Sequence, residues 1–356
     1  MKIGILTFHR AINYGAALQS YALLHYLSQN YGEASVIDYN PQYMQQRYAV
    51  FNLRRTLTKK PIKLFENVMD ECFCAMQRSK RKTLFEDFTN SMKLDDLSAY
   101  YDLVFLGSDQ IWNPLLTGKS LDPIYWGQNI NAKRICSYAP SMEIARQFDL
   151  ETTKLISAYL QHIDKLSVRE LSLRDFLLSK FNKHSVLVCD PVFLHSASFW
   201  VDCSLKTRPL RKPYALLYLV RVSNEIIKKV RKYCHDHKLE LIVISNDSHY
   251  NIFNNTIVSP LDFINYIYHS ECIFSTSFHA TAFSIIFRKE FYTFSIGNTG
   301  NTRVRDLLSF IGISERHITI NDAIGNAEDI CYDEPMRKLQ LLIQNSKQYI
   351  EECCCL

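Results

Sequence analysis

Along the chain, short apolar runs alternate with longer stretches in which apolar and polar positions repeat at helical spacing. Runs of strand length fall at 2–7, 34–39, 101–106, 134–139, 163–168 and 185–189, then at 214–220, 239–244, 271–275 and 291–295. Most are continuous rather than alternating, as in Leu103-Val104-Phe105-Leu106 and Leu241-Ile242-Val243-Ile244. Strands buried on both faces read this way, as in parallel sheets. Between them the spacing predicts helices over 15–30, 61–91, 143–161, 170–181, 223–237, 260–269, 278–287, 302–311 and 335–351. Strand then helix, many times over, predicts an α/β protein with right-handed crossovers.

The pattern breaks once. From Cys203 to Pro213 the chain is polar and basic and carries two prolines, and a fresh strand begins at Tyr214. That composition predicts a linker between two α/β units. The expected organisation is an N-terminal Rossmann-like domain over 1–205, a second over 206–334, and a C-terminal helix and tail over 335–356. Two such domains face each other across a cleft, and ligands sit beyond the carboxyl ends of the strands.

Composition narrows the picture little. A length of 356 residues suits about two domains, and 47% apolar with 22% charged residues excludes disorder, collagen and coiled coil. Lys+Arg 41 against Asp+Glu 36 gives +5, too weak a balance to imply nucleic acid. The eleven cysteines are odd in number and contain no Cys-x-x-Cys, which removes support for a zinc or thioredoxin motif. Several sit in apolar runs, Cys136 for example, where a free cysteine behaves as a small hydrophobe. A reducing cytoplasm is the expectation. Met1-Lys2 leads straight into a strand, with no signal-peptide pattern, and no stretch of about 18 apolar residues occurs.

Chemistry-bearing residues gather where strands end. After the first strand, Asn13-Tyr14-Gly15 opens a helix whose backbone N–H groups suit an anion or a hydroxyl-rich ligand, or are simply capped by Asn13. No Gly-x-Gly-x-x-Gly follows, which disfavours a dinucleotide. After the strand at 101–106 comes Gly107-Ser108-Asp109-Gln110-Ile111-Trp112-Asn113-Pro114. Asp109 there can hold a sugar hydroxyl and Trp112 can stack on a sugar ring; equally, Asp109 caps a turn and Trp112 fills the core. Arg169, in Ser167-Val168-Arg169-Glu170, suits a carboxylate or phosphate, or pairs at the surface with Glu170 or Asp175. In Ser275-Thr276-Ser277-Phe278-His279-Ala280, Ser277 is the expected N-cap, which puts His279 in the first helical turn. A histidine beside a bound anion there can exchange a proton near neutral pH. Arg303 and Arg305 open a further helix. No His/Cys/carboxylate cluster of metal-binding spacing is evident.

Taken together, these stretches resemble the polysaccharide pyruvyl transferases. The resemblance is carried, in family order, by 6–23, Gly107–Pro114, Ser167–Glu170, Asp190–Leu194, Ser277–Phe287 and 301–308. It implies a GT-B-like pair of Rossmann domains. It also implies transfer of a carboxyethylidene group from phosphoenolpyruvate to a hydroxyl pair, the 4,6 pair being the expectation, on a hexose of a capsular or exopolysaccharide precursor. Phosphoenolpyruvate is then the donor substrate and no cofactor is needed. By the same resemblance His279 matches the catalytic histidine and Arg169 the arginine that holds the donor anion. Ser277 and Arg303 are placed on the donor side. Asn13, Tyr14, Asp109, Gln110 and Trp112 are placed on the acceptor side. Thr276 stands where relatives often have Asp, and Glu290 where they often have Pro. A nucleotide-sugar glycosyltransferase of the same architecture and a non-catalytic scaffold of polysaccharide assembly are the alternatives.

Segment 40–95 resembles nothing specific and is expected to be a helical insertion. Between 54 and 82 it holds nine cations against three acids, a local +6, interleaved with apolar residues such as Met69, Phe73 and Met76. Such a stretch suits docking on an anionic bilayer, which would bring the cleft to a lipid-linked acceptor; a helix packed on the first domain reads the same way. The terminal Cys353-Cys354-Cys355-Leu356 is only superficially a prenylation box.

Overall fold

The computed structural model describes residues 1–51, 61–142, 148–204, 208–245, 256–295, 302–325 and 328–355, with backbone alone for 61–66. Its first sheet is built from β1 (Lys2–Leu6), β2 (Glu33–Ile37), β3 (Leu94–Asp95), β4 (Leu103–Leu106) and β5 (Ile135–Ser137). The order is β3-β2-β1-β4-β5, with every pair parallel. A parallel pair, β6 (Ser167–Val168) and β7 (Val186–Leu187), continues beyond β5 through a bridge from Cys136 to Lys165. Among the described residues, the helices of this half are α1 (Tyr14–Asn30), α2 (Gln42–Arg47), α3 (Pro61–Asn90), α4 (Leu150–Leu160), α5 (Leu171–Phe181) and α6 (Ala197–Cys203).

The second sheet comprises β8 (Tyr214–Leu219), β9 (Glu240–Ser245), β10 (Cys272–Ser275), β11 (Glu290–Phe294) and β12 (His317–Ile318). It runs β9-β8-β10-β11-β12, again wholly parallel. Its helices are α7 (Asn224–Asp236), α8 (Pro260–His269), α9 (Phe278–Ile286) and α10 (Thr302–Ile311), and α11 (Asp333–Cys354) closes the chain. The expected α/β class with two parallel sheets is what the chain forms. β4 and β8, the most continuous apolar runs, are buried along their whole length, as strands covered on both faces must be. Strand order reverses between β1 and β4 in one sheet and between β8 and β10 in the other. Crevices at such switch points are where doubly wound sheets hold ligands.

One apolar cluster runs across both halves, beside a second within the first half and a third within the second. Tyr14 of α1 is fully buried and stacks on Phe263 of α8 at 4.4 Å, while its hydroxyl donates to the Val258 carbonyl at 3.0 Å. Helix α11 returns to the first half, where the Tyr349 hydroxyl donates to the Ser137 carbonyl and the Arg134 guanidinium donates to the Cys353 carbonyl, both at 2.9 Å.

Two cations of helix α3 turn to protein partners, as the alternative of a packed helix expects. Glu71, Cys74, Gln77, Arg81, Phe85 and Phe88 form its buried stripe. Arg81 donates to the Ser245 carbonyl at 2.5 Å, and Arg78 pairs with Glu71. Met69 and Met76, expected in one apolar stripe with Phe73, are 55% and 61% exposed on the other side. The basic residues Arg54, Arg55, Lys59 and Lys60, and the side chain of Lys63, lie outside the described residues.

Candidate active site

The site assembles where β1, β6 and β10 end. Strand β6 delivers Arg169 and Glu170, both buried. Arg169 Nη1 donates to Asp190, its Nε donates to Glu170 Oε1 at 3.2 Å, and its guanidinium lies 4.6 Å from the Phe278 ring centre. Burial opposes the charge on Arg169, but Asp190, Glu170 and Asp109 outweigh it and raise its pKa. Asp190 is almost wholly buried and accepts from the Val192 amide at 3.2 Å. Burial alone would raise its pKa; His279 and Arg169 together hold the carboxyl well below the usual carboxylate range.

Strand β10 delivers His279 from the other half. The Ser277 side chain caps α9 by accepting from the Ala280 amide at 3.5 Å, so the histidine sits in the first turn, as the sequence predicts. Its Nε2 lies 3.3 Å from Asp190 Oδ2, within ion-pair range though off the hydrogen-bond line. One carboxylate therefore faces both the arginine and the histidine. Helix α1 forms the opposite wall: a Cβ built on Gly15 would stand 1.9 Å from His279 Nδ1.

Arg303 reaches across from α10. Its Nη1 is 4.0 Å from Asp109 Oδ1. With the Gln110 amide turned oxygen-first, that oxygen accepts from Nη1 at 3.1 Å and Nη2 at 2.7 Å. Burial and the neighbouring Arg169 lower the Arg303 pKa, whereas burial pushes the Glu170 carboxyl up against the pull of both arginines. Beside these groups opens a pocket of about 460 Å³ including its mouth, lined by Arg169, Glu170, Asp190, Phe278, Arg303 and Phe310 among others. Four buried atoms here and on the adjoining loop have no hydrogen-bond partner: Arg169 Nη2, Glu170 Oε2, His279 Nε2 and Ser108 Oγ. Buried polar atoms in a folded protein are nearly always paired, so these atoms have capacity left to meet a ligand. Among the described residues no group of three or more His, Cys, Asp or Glu could hold a metal ion.

Several sequence expectations need correction. Trp112 is not available to a sugar: it is fully buried, stacks on Trp126 at 4.4 Å and donates to the Tyr125 carbonyl at 3.0 Å. Tyr14 is likewise spent on the core between the halves. The Asn13 oxygen accepts from the Gly15 and Ala16 amides at 2.9 and 3.2 Å, so the α1 terminus is capped by its own side chain rather than left open. Arg303, assigned to the donor, and Asp109 and Gln110, assigned to the acceptor, touch one another and make a single wall. The alternative for Arg169, a surface pair, is overturned by the burial of its partners; Asp175 instead pairs with Arg174. Thr276 accepts from the Val220 amide at 3.1 Å, and Glu290 pairs with the wholly buried Arg316. Sequence reasoning did not single out Asp190 or Gly15, although both lie in the stretches that carry the family resemblance.

Fold and site thus define a doubly wound, two-sheet α/β protein with a buried ionic cluster where the two sheets meet. The chain belongs to the polysaccharide pyruvyl transferase family, whose model matches residues 13–298. No curated protein matches it. Among solved structures, it is similar to UDP-GlcNAc 2-epimerase of Methanocaldococcus jannaschii in complex with UDP-GlcNAc and UDP (TM-score 0.45, 11% identity, 99% of each chain covered). It is also similar to the S. aureus MnaA-UDP co-structure (0.48, 12%, 98% of this chain and 89% of that one). A third is the glycosyltransferase SnogD from Streptomyces nogalater (0.41, 10%, 98% and 95%). Likenesses this distant say nothing of ligand or reaction.

Proposed function

We propose that the protein moves a carboxyethylidene group from phosphoenolpyruvate to a hydroxyl pair of a hexose, the 4,6 pair, in a polysaccharide precursor. The observation that carries this reading is the buried Arg169–Asp190–His279 cluster with unpartnered nitrogens on both the arginine and the histidine. Phosphoenolpyruvate has two anionic ends, and a planar guanidinium suits either one. Arg303 supplies a second cation beside Arg169. Protonation at the donor's methylene carbon creates an oxocarbenium-like centre. One sugar hydroxyl attacks it, phosphate leaves, and a second hydroxyl closes the ketal. His279 is the general acid/base for the proton transfers. Asp109 and Gln110, on the loop after β4, flank the acceptor side.

The acceptor in this reading is lipid-linked and capsular or exopolysaccharide in kind, and the enzyme works in the cytoplasm at the inner membrane face. Among the described residues no helix is long and apolar enough to cross a membrane. The test is a donor panel. With phosphoenolpyruvate and lipid-linked saccharides, phosphate release and a product heavier by one carboxyethylidene group are expected. Turnover with nucleotide sugars alone would instead make the protein a glycosyltransferase, and turnover with neither would leave the scaffold reading.

A further inference from the structure

We infer that Gly15 is a positioning residue for His279, its bare Cα letting the ring of one half lie against the carboxylate of the other. This rests on the reading of His279 as the general acid/base. Arg169, Glu170, Asp190 and Gly15 all come from the first half, whereas His279 comes from the second. The imidazole is held between them, with Nε2 toward Asp190 Oδ2 at 3.3 Å and Nδ1 over the bare Cα of Gly15. Any Cβ at position 15 would stand 1.9 Å from Nδ1, 2.4 Å from Cγ and 2.6 Å from Cε1. All three distances are far below van der Waals contact, so the ring has to move. The atoms met are those of one side chain rather than backbone, and Gly15 lies in the second position of a helix, where alanine is the better helix former. The damage therefore falls on the geometry of the acid/base, and misplacement by about 1 Å costs on the order of 10²-fold in rate.

The experiment compares wild type and Gly15→Ala in two ways. In phosphoenolpyruvate turnover the variant is expected to lose about 10²-fold in kcat, with the donor Kd and the Tm little changed. In NMR of the full chain, with labelled glycine and histidine, wild type is expected to show a cross-peak between the Gly15 α-protons and the His279 ring. The ring resonances should shift in Gly15→Ala, and Asp190→Asn should change the ring's tautomer balance. Wild-type kcat together with unshifted ring resonances in Gly15→Ala would overturn the inference. Absence of the wild-type cross-peak would overturn it without recourse to any variant. The NMR arm does not depend on the donor, so a protein inactive with phosphoenolpyruvate but showing the contact would count against the proposed reaction and leave the positioning intact.

Discussion

At the scale of single residues, Asp190 decides the behaviour of the site, because one carboxylate serves two partners in a buried setting. Removing one member of a buried ion pair leaves an uncompensated charge and costs about 3–5 kcal/mol. Arg169→Ala should therefore lose stability on that scale in denaturant melts. Arg169→Lys should keep more of it and chiefly raise the donor KM, since the planar fork is gone. A shift confined to the acceptor KM would move Arg169 to the sugar side. The depressed Asp190 pKa also fixes a pH dependence. As pH falls, the unfolded carboxyl protonates first, near ~3.9, while the folded one resists. The stabilisation is complete above that value and drains away as pH drops toward the folded pKa. Asp190→Asn should flatten the acid limb of the stability–pH curve, and an unchanged limb would refute the assignment. Arg169 and His279 were legible in the sequence because each follows an apolar strand and opens a helix. Asp190 was not, because its effect depends on two side chains from distant parts of the chain, 21 and 89 residues away by numbering.

At the scale of elements, hydrophobic pattern located the long strands and helices well, and found even the two-residue β6 and β7 at the ends of longer apolar runs, but it missed β3, β12 and α2. β3 and β12 have two residues each, and α2 has six, too few for any periodicity to register. Side-chain direction was the harder matter. Trp112 follows a core strand whether it points to the cleft or into the core, and only the position of Trp126 settles which. Trp112→Phe should accordingly cost stability through lost packing and the bond to the Tyr125 carbonyl. The acceptor KM should stay as it was; a rise in that KM without loss of stability would restore the sugar-stacking role. Helix α3 teaches the same lesson. Its basic composition fits a membrane surface, yet Arg78 and Arg81 turn to protein partners. Binding to anionic vesicles, if the segment provides it, then rests on cations outside that buried stripe. Flotation with such vesicles at low salt tests it, and failure to float leaves the insertion as a structural brace.

At the scale of the whole molecule, the shared core makes the two sheets one folding unit. Tyr14, Phe263, Tyr218 and Phe283 belong to one contiguous apolar cluster that draws on α1, α8, β8 and α9. Calorimetry should show a single cooperative transition with matching calorimetric and van't Hoff enthalpies; two resolved transitions would contradict a common core. The same packing brings His279 of one half against Asp190 and Gly15 of the other, so the proposed reaction and the architecture share one interface. The central claim is that this interface performs ketal transfer from phosphoenolpyruvate. Its most direct measurement is incubation of the wild type and of His279→Ala with ¹³C-labelled phosphoenolpyruvate and a lipid-linked saccharide, following label in the sugar product. The account predicts label in a ketal carbon with wild type. It predicts a rate lower by about 10²–10⁴-fold in a His279→Ala protein that still folds and binds the donor. Label transfer at the wild-type rate by that variant, or no transfer by wild type to any saccharide tried, would contradict it.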